Sequence, residues 1–446
     1  MLNEEKAILS SISMEGVNQQ IEIYTGEYTL DIDGNKVVLE GNILMKWLPD
    51  ARIEYKGKVV EGYKEIERDL LTVGSGKSKV FLETSNGFYG QAMINKVNFK
   101  HQFNISGVVL RHIEKINDVK MDSLKFNVVN FLDSGGQRII HEKKNYSGRM
   151  VFNYKDYKII VDKLHNFKQI YEDLNESGGY AVTHAGSIEN IKGEQFSFED
   201  VEGLLETLGW LLSFASGRQV GICSYHGYCK KDKVLERFQS PIIAKWKNHT
   251  NWFSRLNSQG SLESIYPSLV EKLNNELWGD VLKRTFTWYF DSMVSTYIEN
   301  KIVSVQIALE MLAWTYIVEE NEIIDKKIFD SKLRASDKLR LLLYEFSIPR
   351  EIPDIECFKT FNSYKDGAHL FTDFRNEIVH PKKVKDKGEM TSTSKYYILQ
   401  LGRKYLELSI LRILGYEGMY QNLVSNKKWL GESLEKVPWC PAEIIK

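Results

Sequence analysis

The sequence predicts an α+β protein with a β-rich N-terminal domain followed by an α-helical C-terminal domain. Residues 19 to about 163 contain short strand-like runs, such as Gln20–Tyr24, in which apolar and polar positions alternate as they do in a half-buried strand. From about residue 264 onward the apolar residues instead recur at helical spacing. We therefore expect a β-rich domain over 1–190, a helical bridging segment over 191–263 and an α-helical domain with a C-terminal tail over 264–446.

The N-terminal strands are expected to be joined by short turns. Asp33-Gly34-Asn35 separates two strand-like runs, and Gly and Asn adopt positive φ at little cost, so this tripeptide predicts a hairpin. Gly, Asn and Asp also separate the later runs, which is typical of a sandwich or a barrel. Those later runs are Ala51–Tyr55, Lys79–Glu83, Phe88–Phe99, Ile105–Arg111, Phe126–Leu132, Arg138–His141, Met150–Tyr154 and Lys158–Val161.

The helical pattern starts with a capping signal. Ser197 and Asp200 have the spacing of a capping box, and apolar residues follow at helical spacing from Val201. Cys223 through Ser240 has an irregular, polar pattern. Further helices are expected over Ser264–Asn275, Gly279–Glu299, Val303–Glu320, Ser331–Glu345, Cys357–Val379 with an interruption, and Ser394–Leu414, the last of them ending at Gly415.

The composition indicates a soluble protein. Hydrophobic residues make up 43% of the 446 residues and charged residues 27%, which is ordinary for a globular chain. The net charge of -1 does not attract nucleic acid to the whole surface, so such contact requires a local patch. Four cysteines are too few for a disulfide framework in a chain of this length, and no apolar run reaches 18 residues. We therefore expect a cytoplasmic protein that does not enter a membrane.

Three short motifs suggest ligand sites but have the wrong spacing or context. Val73–Ser78 resembles a phosphate-binding loop, but position 71 is leucine and a strand-like run follows instead of a helix. Cys223, His226 and Cys229 do not match the usual pairing of zinc ligands. Asp31–Gly34 begins like a calcium loop, yet strand pattern runs through it. We expect neither a metal nor a cofactor.

The strongest candidate site is formed by Arg375, Asn376 and His380. On a helix Asn376 and His380 share a face, and Pro381 disfavours helical conformation at His380, which predicts that the helix ends there. A permanently charged guanidinium and a side chain that titrates near neutral pH suit chemistry on a phosphodiester. The same pattern is also compatible with a helix-end histidine beside a solvated arginine.

The helices before this stretch carry further motifs of interest. They are Leu282–Tyr289, Ile307–Trp314 and Lys338–Leu343, followed by Ile348-Pro349. Together with Arg375-Asn376-x-x-x-His380, these motifs resemble the HEPN superfamily, and in particular the ApeA-type anti-phage defence proteins, over residues 265–415. The resemblance implies an all-α helical bundle for the C-terminal domain.

The resemblance also implies a metal-independent endoribonuclease that cleaves cellular RNA, for example transfer RNA, in abortive-infection defence. His380 would be the general acid and base, Arg375 would hold the scissile phosphate, and Asn376 would orient the histidine or bind phosphate. The expected product is a 2',3'-cyclic phosphate. Glu310, on an earlier helix, would set the charge state of Arg375 or His380, or would equally well be an exposed surface residue.

Partners follow from the same resemblance. HEPN nucleases form a composite site in a homodimer, so a homodimer is expected. Lys382, Lys383 and Lys385 follow the motif and are expected to contact the RNA backbone, although each fits a solvated loop equally well. Residues 1–190 are expected to regulate the toxic nuclease and to respond to a phage-derived trigger.

Two other functions remain open at this point. Some HEPN domains lack catalysis and serve as RNA-binding or dimerisation scaffolds, although a scaffold does not require Arg375, Asn376 and His380 together. A third interpretation is a carbohydrate- or protein-binding β domain with a helical dimerisation appendage.

Overall fold

The chain divides into two compact units. The computed structural model describes residues 6–14, 16–62, 79–98, 103–142, 144–257, 259–359, 361, 363–380, 391–426 and 429–440. The first unit, here called the β-rich unit, comprises Met1–Gly209 and Gln219–Asn248, and the second, the helical unit, comprises Trp210–Arg218 and His249–Lys446. The stretch Val73–Ser78 and the lysines Lys382, Lys383 and Lys385 lie outside the described residues.

Within its described residues the β-rich unit contains one 14-stranded sheet and two helices. The helices are α1 (Phe167–Ser177) and α2 (Phe198–Ser216), of which the residues after Gly209 belong to the helical unit. The strands are β1 (Ile21–Ile32), β2 (Asn35–Lys46), β3 (Arg52–Glu61), β4 (Val80–Thr84), β5 (Tyr89–Asn98), β6 (Asn104–Val109), β7 (His112–Ile116), β8 (Ser123–Val129), β9 (Gln137–His141), β10 (Lys144–Tyr154), β11 (Tyr157–Lys163), β12 (Val182–Asn190), β13 (Gly221–Cys229) and β14 (Asp232–Gln239).

The first six strands close into a barrel. Their order is β4, β1, β2, β3, β6 and β5, and pairing of β4 with β5 completes the ring. The turn between β1 and β2 has positive φ at Asp33 (51°) and Gly34 (96°), which confirms the predicted hairpin. Gly107 in β6 permits a close strand approach, since a Cβ there would lie 1.9 Å from the Met93 carbonyl oxygen.

The remaining strands continue the sheet in the order β7, β14, β13, β8, β12, β11, β10 and β9. A buried ion pair fixes the N-terminal segment to this part. Arg149 donates from Nε and Nη2 to the two carboxylate oxygens of Asp162 at 2.8 and 2.7 Å. The backbone N–H of Ile8 donates to Asp162 at 2.8 Å, and Arg149 donates to the Lys6 carbonyl oxygen at 2.7 Å. Each oxygen of the buried carboxylate therefore has a partner.

Helix α2 begins in the β-rich unit and ends in the helical unit, with the division after Gly209. Its start shows one of the two hydrogen bonds of the predicted capping box, since the backbone N–H of Ser197 donates to Asp200 Oδ2 at 2.8 Å. The rest of the helical unit contains α3 (Ser261–Leu273), α4 (Trp278–Val294), α5 (Ile298–Trp314) with a π-helical turn (Thr315–Glu320), α6 (Lys326–Lys332), α7 (Ala335–Glu345), α8 (Gly367–Val379), α9 (Ser392–Ile413), β15 (Met419–Gln421) and β16 (Leu434–Lys436).

Helix α5 lies in the interior of the helical unit, where α4, α7, α8 and α9 pack against it. With its π-helical turn it spans Ile298–Glu320. Among the described residues, this is the one helix whose length and apolar composition would allow it to cross a membrane. However, 56% of its apolar window is buried inside the protein, as expected for the core helix of a soluble protein.

The prediction of an all-α C-terminal domain is wrong. The antiparallel strands β15 and β16 pair within the helical unit, and three residues each are too few to show a strand period in the sequence. The predicted helical bridge over 191–263 also differs from the structure, since β13 and β14 follow α2. Strand β13 is buried at Gly221 to Gly227, so it lacks the polar alternation that identifies a half-buried strand.

Candidate functional site

Helix α8 carries the predicted site and is anchored at its start. The Asp366 side chain caps the helix by accepting a hydrogen bond from the His369 backbone N–H at 2.8 Å. Arg340 of α7 donates to the same carboxylate from Nε at 2.5 Å and from Nη2 at 3.3 Å. Burial opposes ionisation of Asp366, but these hydrogen bonds and the Arg340 charge prevail and lower its pKa. An ionised carboxylate at the positive end of the helix dipole stabilises the start of α8.

One face of α8 is buried against α5, α7 and α9. Leu370, Phe371 and Phe374 lie on this face and are buried. Helix α9 comes close because it presents Gly402, where an added Cβ would lie 2.2 Å from the Phe371 ring. The buried face leaves the last turn of α8 at the surface, since Asn376 and His380 are exposed.

The structure brings Arg375, Asn376 and His380 together at the end of α8. Arg375 Nη1 donates to Asn376 Oδ1 at 3.3 Å, and the backbone N–H of His380 donates to the Asn376 carbonyl oxygen at 2.8 Å. His380 is the C-cap residue, with φ −127° and ψ 71°, which confirms that the helix ends before Pro381. Arg375 Nε is shielded from solvent and has no hydrogen-bond partner among the described residues.

Chemically, this arrangement offers a cation and an exposed imidazole on one helix end. The asparagine amide holds one arm of the guanidinium, which restricts the directions in which the arginine can present its N–H groups to an oxyanion. An exposed imidazole can accept or donate a proton once a substrate comes within hydrogen-bond distance. The geometry therefore suits acid–base chemistry at an anionic group.

Glu310 occupies a different environment. Its Oε1 accepts a hydrogen bond from Gln306 Nε2 at 2.6 Å, and its side chain lines a groove formed by α4, α5, α6 and α7. Neither Arg375 nor His380 is among the residues that line this groove. Three of the four residues predicted to be catalytic thus lie at the C-terminal end of α8, and the fourth lines a separate groove.

The other motifs have structural roles. Cys223 and His226 are buried in β13, and Cys223 belongs to the hydrophobic core. Burial lowers the pKa of His226 to about 4, although Glu236 opposes this shift. Asp31 accepts a hydrogen bond from the Gly34 backbone N–H at 2.8 Å, which is the turn that its sequence context predicts.

Sequence reasoning missed Arg340 and Asp366, which position the site helix. Asp366 precedes the first apolar residues of α8, so its type and place could have identified it as an N-cap. Arg340 lies 26 residues earlier on another helix, and nothing in the local pattern marks it as the partner of that cap.

Comparison with known proteins places the chain in a family. The model of the YopA central domain matches residues 117–249, and the model of the YopA C-terminal domain matches residues 275–435. A relative from Bacillus subtilis (strain 168), described as "SPbeta prophage-derived uncharacterized protein YopA", is 36% identical over 449 residues, covering 98% of this chain and 99% of the relative. No solved structure matches the chain. The chain therefore belongs to the YopA family.

Proposed function

We propose that this protein is a HEPN-type, metal-independent endoribonuclease whose active site includes Arg375, Asn376 and His380. The observation that supports this most strongly is the exposed end of α8, where the guanidinium is held by Asn376 next to the histidine that ends the helix. A cation bound to a phosphate and a proton-transferring imidazole are the two components that RNA cleavage by its own 2'-hydroxyl needs.

In the proposed reaction the 2'-oxygen attacks the adjacent phosphorus and the bond to the 5'-oxygen breaks. A base takes the 2'-hydroxyl proton and an acid gives a proton to the leaving 5'-oxygen, so the products are a 2',3'-cyclic phosphate and a 5'-hydroxyl. Arg375 stabilises the charge that develops on the phosphate oxygens. His380 of one protomer and the same residue of a second copy supply the two proton transfers, which is why the proposal includes a homodimer.

Glu310 is left out of this assignment. Its carboxylate is hydrogen-bonded to Gln306 and faces a groove that Arg375 and His380 do not line. The lysines Lys382, Lys383 and Lys385 remain proposed contacts for the RNA backbone, based on their position directly after the site in the sequence.

The biological setting that we propose is the cytoplasm of a bacterium under phage attack. The relative in Bacillus subtilis is described as prophage-derived, and a toxic nuclease carried in that context would act in abortive infection. The β-rich unit would regulate the nuclease by raising its activity above the basal level when a phage component binds.

Mapping of RNA ends tests the proposal. Purified full-length protein is incubated with total RNA, and fragments ending in 2',3'-cyclic phosphate are sequenced. We expect such ends with the wild type and a loss of about 100-fold or more with His380→Ala, because the variant lacks the proton-transferring group. His369→Ala, on the same helix, is the matched control and should retain cleavage. A wild-type protein that binds RNA but yields no new ends would point to the scaffold function instead.

A further inference from the structure

The helical unit contains a groove of about 570 Å³ that is separate from the site on α8. It lies between α4, α5, α6 and α7, and its lining includes Glu310, Trp314, Phe329 and Lys338. This volume falls within the range of ligand pockets in proteins. Ligand pockets combine apolar walls with a few oriented polar groups. This groove has both components.

The first oriented group is the Glu310 carboxylate. Gln306, which is 2% exposed, donates to Glu310 Oε1 at 2.6 Å. Because a buried amide fixes this oxygen, the carboxylate is held in one orientation while its remaining lone pairs can accept hydrogen bonds. Gln306 Oε1 itself has no hydrogen-bond partner among the described residues. Burying a polar group without a hydrogen-bond partner is costly. We therefore interpret Gln306 as a residue that positions Glu310 and not as one that only packs the core.

The second feature is an aromatic wall flanked by cations. The rings of Trp314 and Phe329 meet edge to face with centroids 5.6 Å apart. Lys338 Nζ lies 4.7 Å from the centroid of the Phe329 ring, and Lys326 Nζ lies 5.2 Å from that of the Trp314 ring. Each ammonium group lies over one face of its ring, and Lys338 lines the groove together with Trp314 and Phe329.

The third feature is the backbone directly after Trp314. The α-helix changes there to a π-helical turn over Thr315–Glu320, and Thr315 also lines the groove. This turn is the C-terminal end of the helix, and it places Thr315 beside Trp314 in the lining of the groove. The indole N–H of Trp314 donates to Glu319 Oε1 at 3.0 Å. This hydrogen bond restricts the orientation of the indole ring in the aromatic wall.

From these contacts we infer that the groove binds a guanine nucleotide, with the base on the Trp314 side and the phosphate near Lys338. A carboxylate accepts two hydrogen bonds from the adjacent N1–H and exocyclic amine of guanine, whereas adenine does not present two adjacent donors on that edge. Trp314 provides an aromatic surface for stacking, and Lys338 provides charge for the phosphate. The inference does not depend on the RNA cleavage proposed for α8.

Calorimetric titration of the full-length protein with GMP and with AMP tests the inference. We expect GMP to bind about 10-fold more tightly or better, since a good two-point contact to a base discriminates by about 1–3 kcal/mol. Glu310→Gln presents an amide N–H to the base and should remove this preference. Glu299→Gln makes the same change on the same helix, at a carboxylate 3.5 Å from Lys395 and outside the groove, and should leave it intact.

A second variant tests the inference independently, in case Glu310→Gln does not fold. Lys338→Met should weaken GMP binding but leave guanosine binding unchanged, because guanosine has no phosphate. Equal affinity for GMP and AMP in the wild type, or no binding of either, would overturn the inference without the use of any variant.

Short RNA strands identify the source of the nucleotide. The titrations are repeated with single-stranded tetranucleotides containing one guanosine, and with the adenosine counterparts, in the His380→Ala background so that the strand stays intact. Tighter binding of the guanosine strand than of GMP identifies an RNA strand as the ligand, and tighter binding of GMP identifies the free nucleotide. Cleavage and nucleotide binding are separate measurements, so either proposal can fail while the other stands.

Discussion

The two units bury ionisable side chains in different ways. In the β-rich unit, Asp162 is fully buried and Arg149, 3% exposed, binds both carboxylate oxygens. The same unit buries His184 and His226, and burial lowers the pKa of both imidazoles, to about 4 in His226. The charged pair is matched by direct hydrogen bonds, whereas the histidines remain neutral at pH 7 because burial disfavours their charged form.

The helical unit buries a carboxyl group whose strongest partner is neutral. Glu407 is 4% exposed and accepts a hydrogen bond from the Tyr289 hydroxyl at 2.7 Å. Burial raises the pKa of Glu407 to about 7, although the Tyr289 hydrogen bond and the Arg403 charge favour ionisation. Arg403 donates to the Ser292 carbonyl oxygen, and its Nε has no hydrogen-bond partner among the described residues.

This difference implies opposite responses to pH. Folded Glu407 binds its proton more tightly, with a pKa of about 7 against an ordinary 4.5, so the helical unit loses stability as the pH rises through that window. Folded His226 binds its proton less tightly, with a pKa of about 4 against an ordinary 6.5, so the β-rich unit loses stability as the pH falls through that window. Mild acid therefore lowers the stability of the β-rich unit and raises that of the helical unit.

The largest expected effect comes from breaking the buried ion pair. Arg149→Met leaves the Asp162 carboxylate buried without its cation and should lower the free energy of unfolding by about 3–5 kcal/mol. Urea denaturation followed by circular dichroism measures the change. Lys192→Met removes an exposed partner of Asp156, where the side chains are 58% and 42% exposed, and should cost less than about 1 kcal/mol. Equal losses in both variants would contradict the difference in burial.

Glu407→Gln tests the helical unit. The amide keeps an acceptor for Tyr289 without the cost of ionisation, so above pH 7 the variant should be more stable than the wild type by on the order of 3 kcal/mol. Below about pH 4.5 the wild-type carboxyl is protonated in both states and the advantage should vanish. Amide exchange in α9 peptides, corrected for its intrinsic pH dependence, measures this stability. A wild-type α9 whose protection rises with pH would refute the expected sign.

His226→Gln tests the β-rich unit. At pH 5 the imidazole of His226 is protonated in the unfolded wild type but not in the folded one. The free energy of unfolding at pH 5 is therefore about 2 kcal/mol lower than at pH 7. The variant should lack most of this loss, and exchange in β13 and β14 peptides reports it. Because His184 has a lowered pKa from the same cause, some acid sensitivity should remain. Identical acid profiles for variant and wild type would exclude His226 as a source of the effect.

The smallest expected effect concerns the anchor of the site helix. Asp366→Ala removes both the cap of α8 and the partner of Arg340 and should cost about 1–2 kcal/mol. Asp325→Ala removes a cap at the exposed start of α6, where the side chain accepts from the Lys327 backbone N–H at 2.8 Å, and should cost about 0.5–1 kcal/mol. Thermal unfolding compares the two. A larger loss at Asp325 would mean that Arg340 does not strengthen the cap.

The features that the sequence predicts correctly are local ones. The hairpin at Asp33 and Gly34, the Ser197–Asp200 hydrogen bond at the start of α2 and the end of α8 before Pro381 each depend on residues within a few positions of one another. Local φ preferences and short-range hydrogen bonds decide such features, so a single sequence contains them.

The features that the sequence misses depend on distant contacts. Strand β13 lies between β14 and β8 in the sheet and is buried at every position from Gly221 to Gly227, and burial on both faces removes the alternation that reveals a strand. Whether Glu310 faces His380 or a groove is decided by how α4, α6 and α7 pack around α5. Helical periodicity gives the buried face of each helix but not the partner on that face.

Because the boundary between the two units lies within α2, the chain cannot be cut into two intact fragments at a single position. The chain leaves the β-rich unit after Gly209, contributes Trp210–Arg218 to the helical unit and returns for β13 and β14. Phe214 in that insert packs against Trp252, Phe286 and Tyr289. A fragment starting at residue 249 lacks this aromatic ring, and one ending at 248 carries it without those partners. Truncation at this boundary therefore separates Phe214 from its aromatic partners, and point substitutions or circular permutation are the sounder route to separating the effects of the two units.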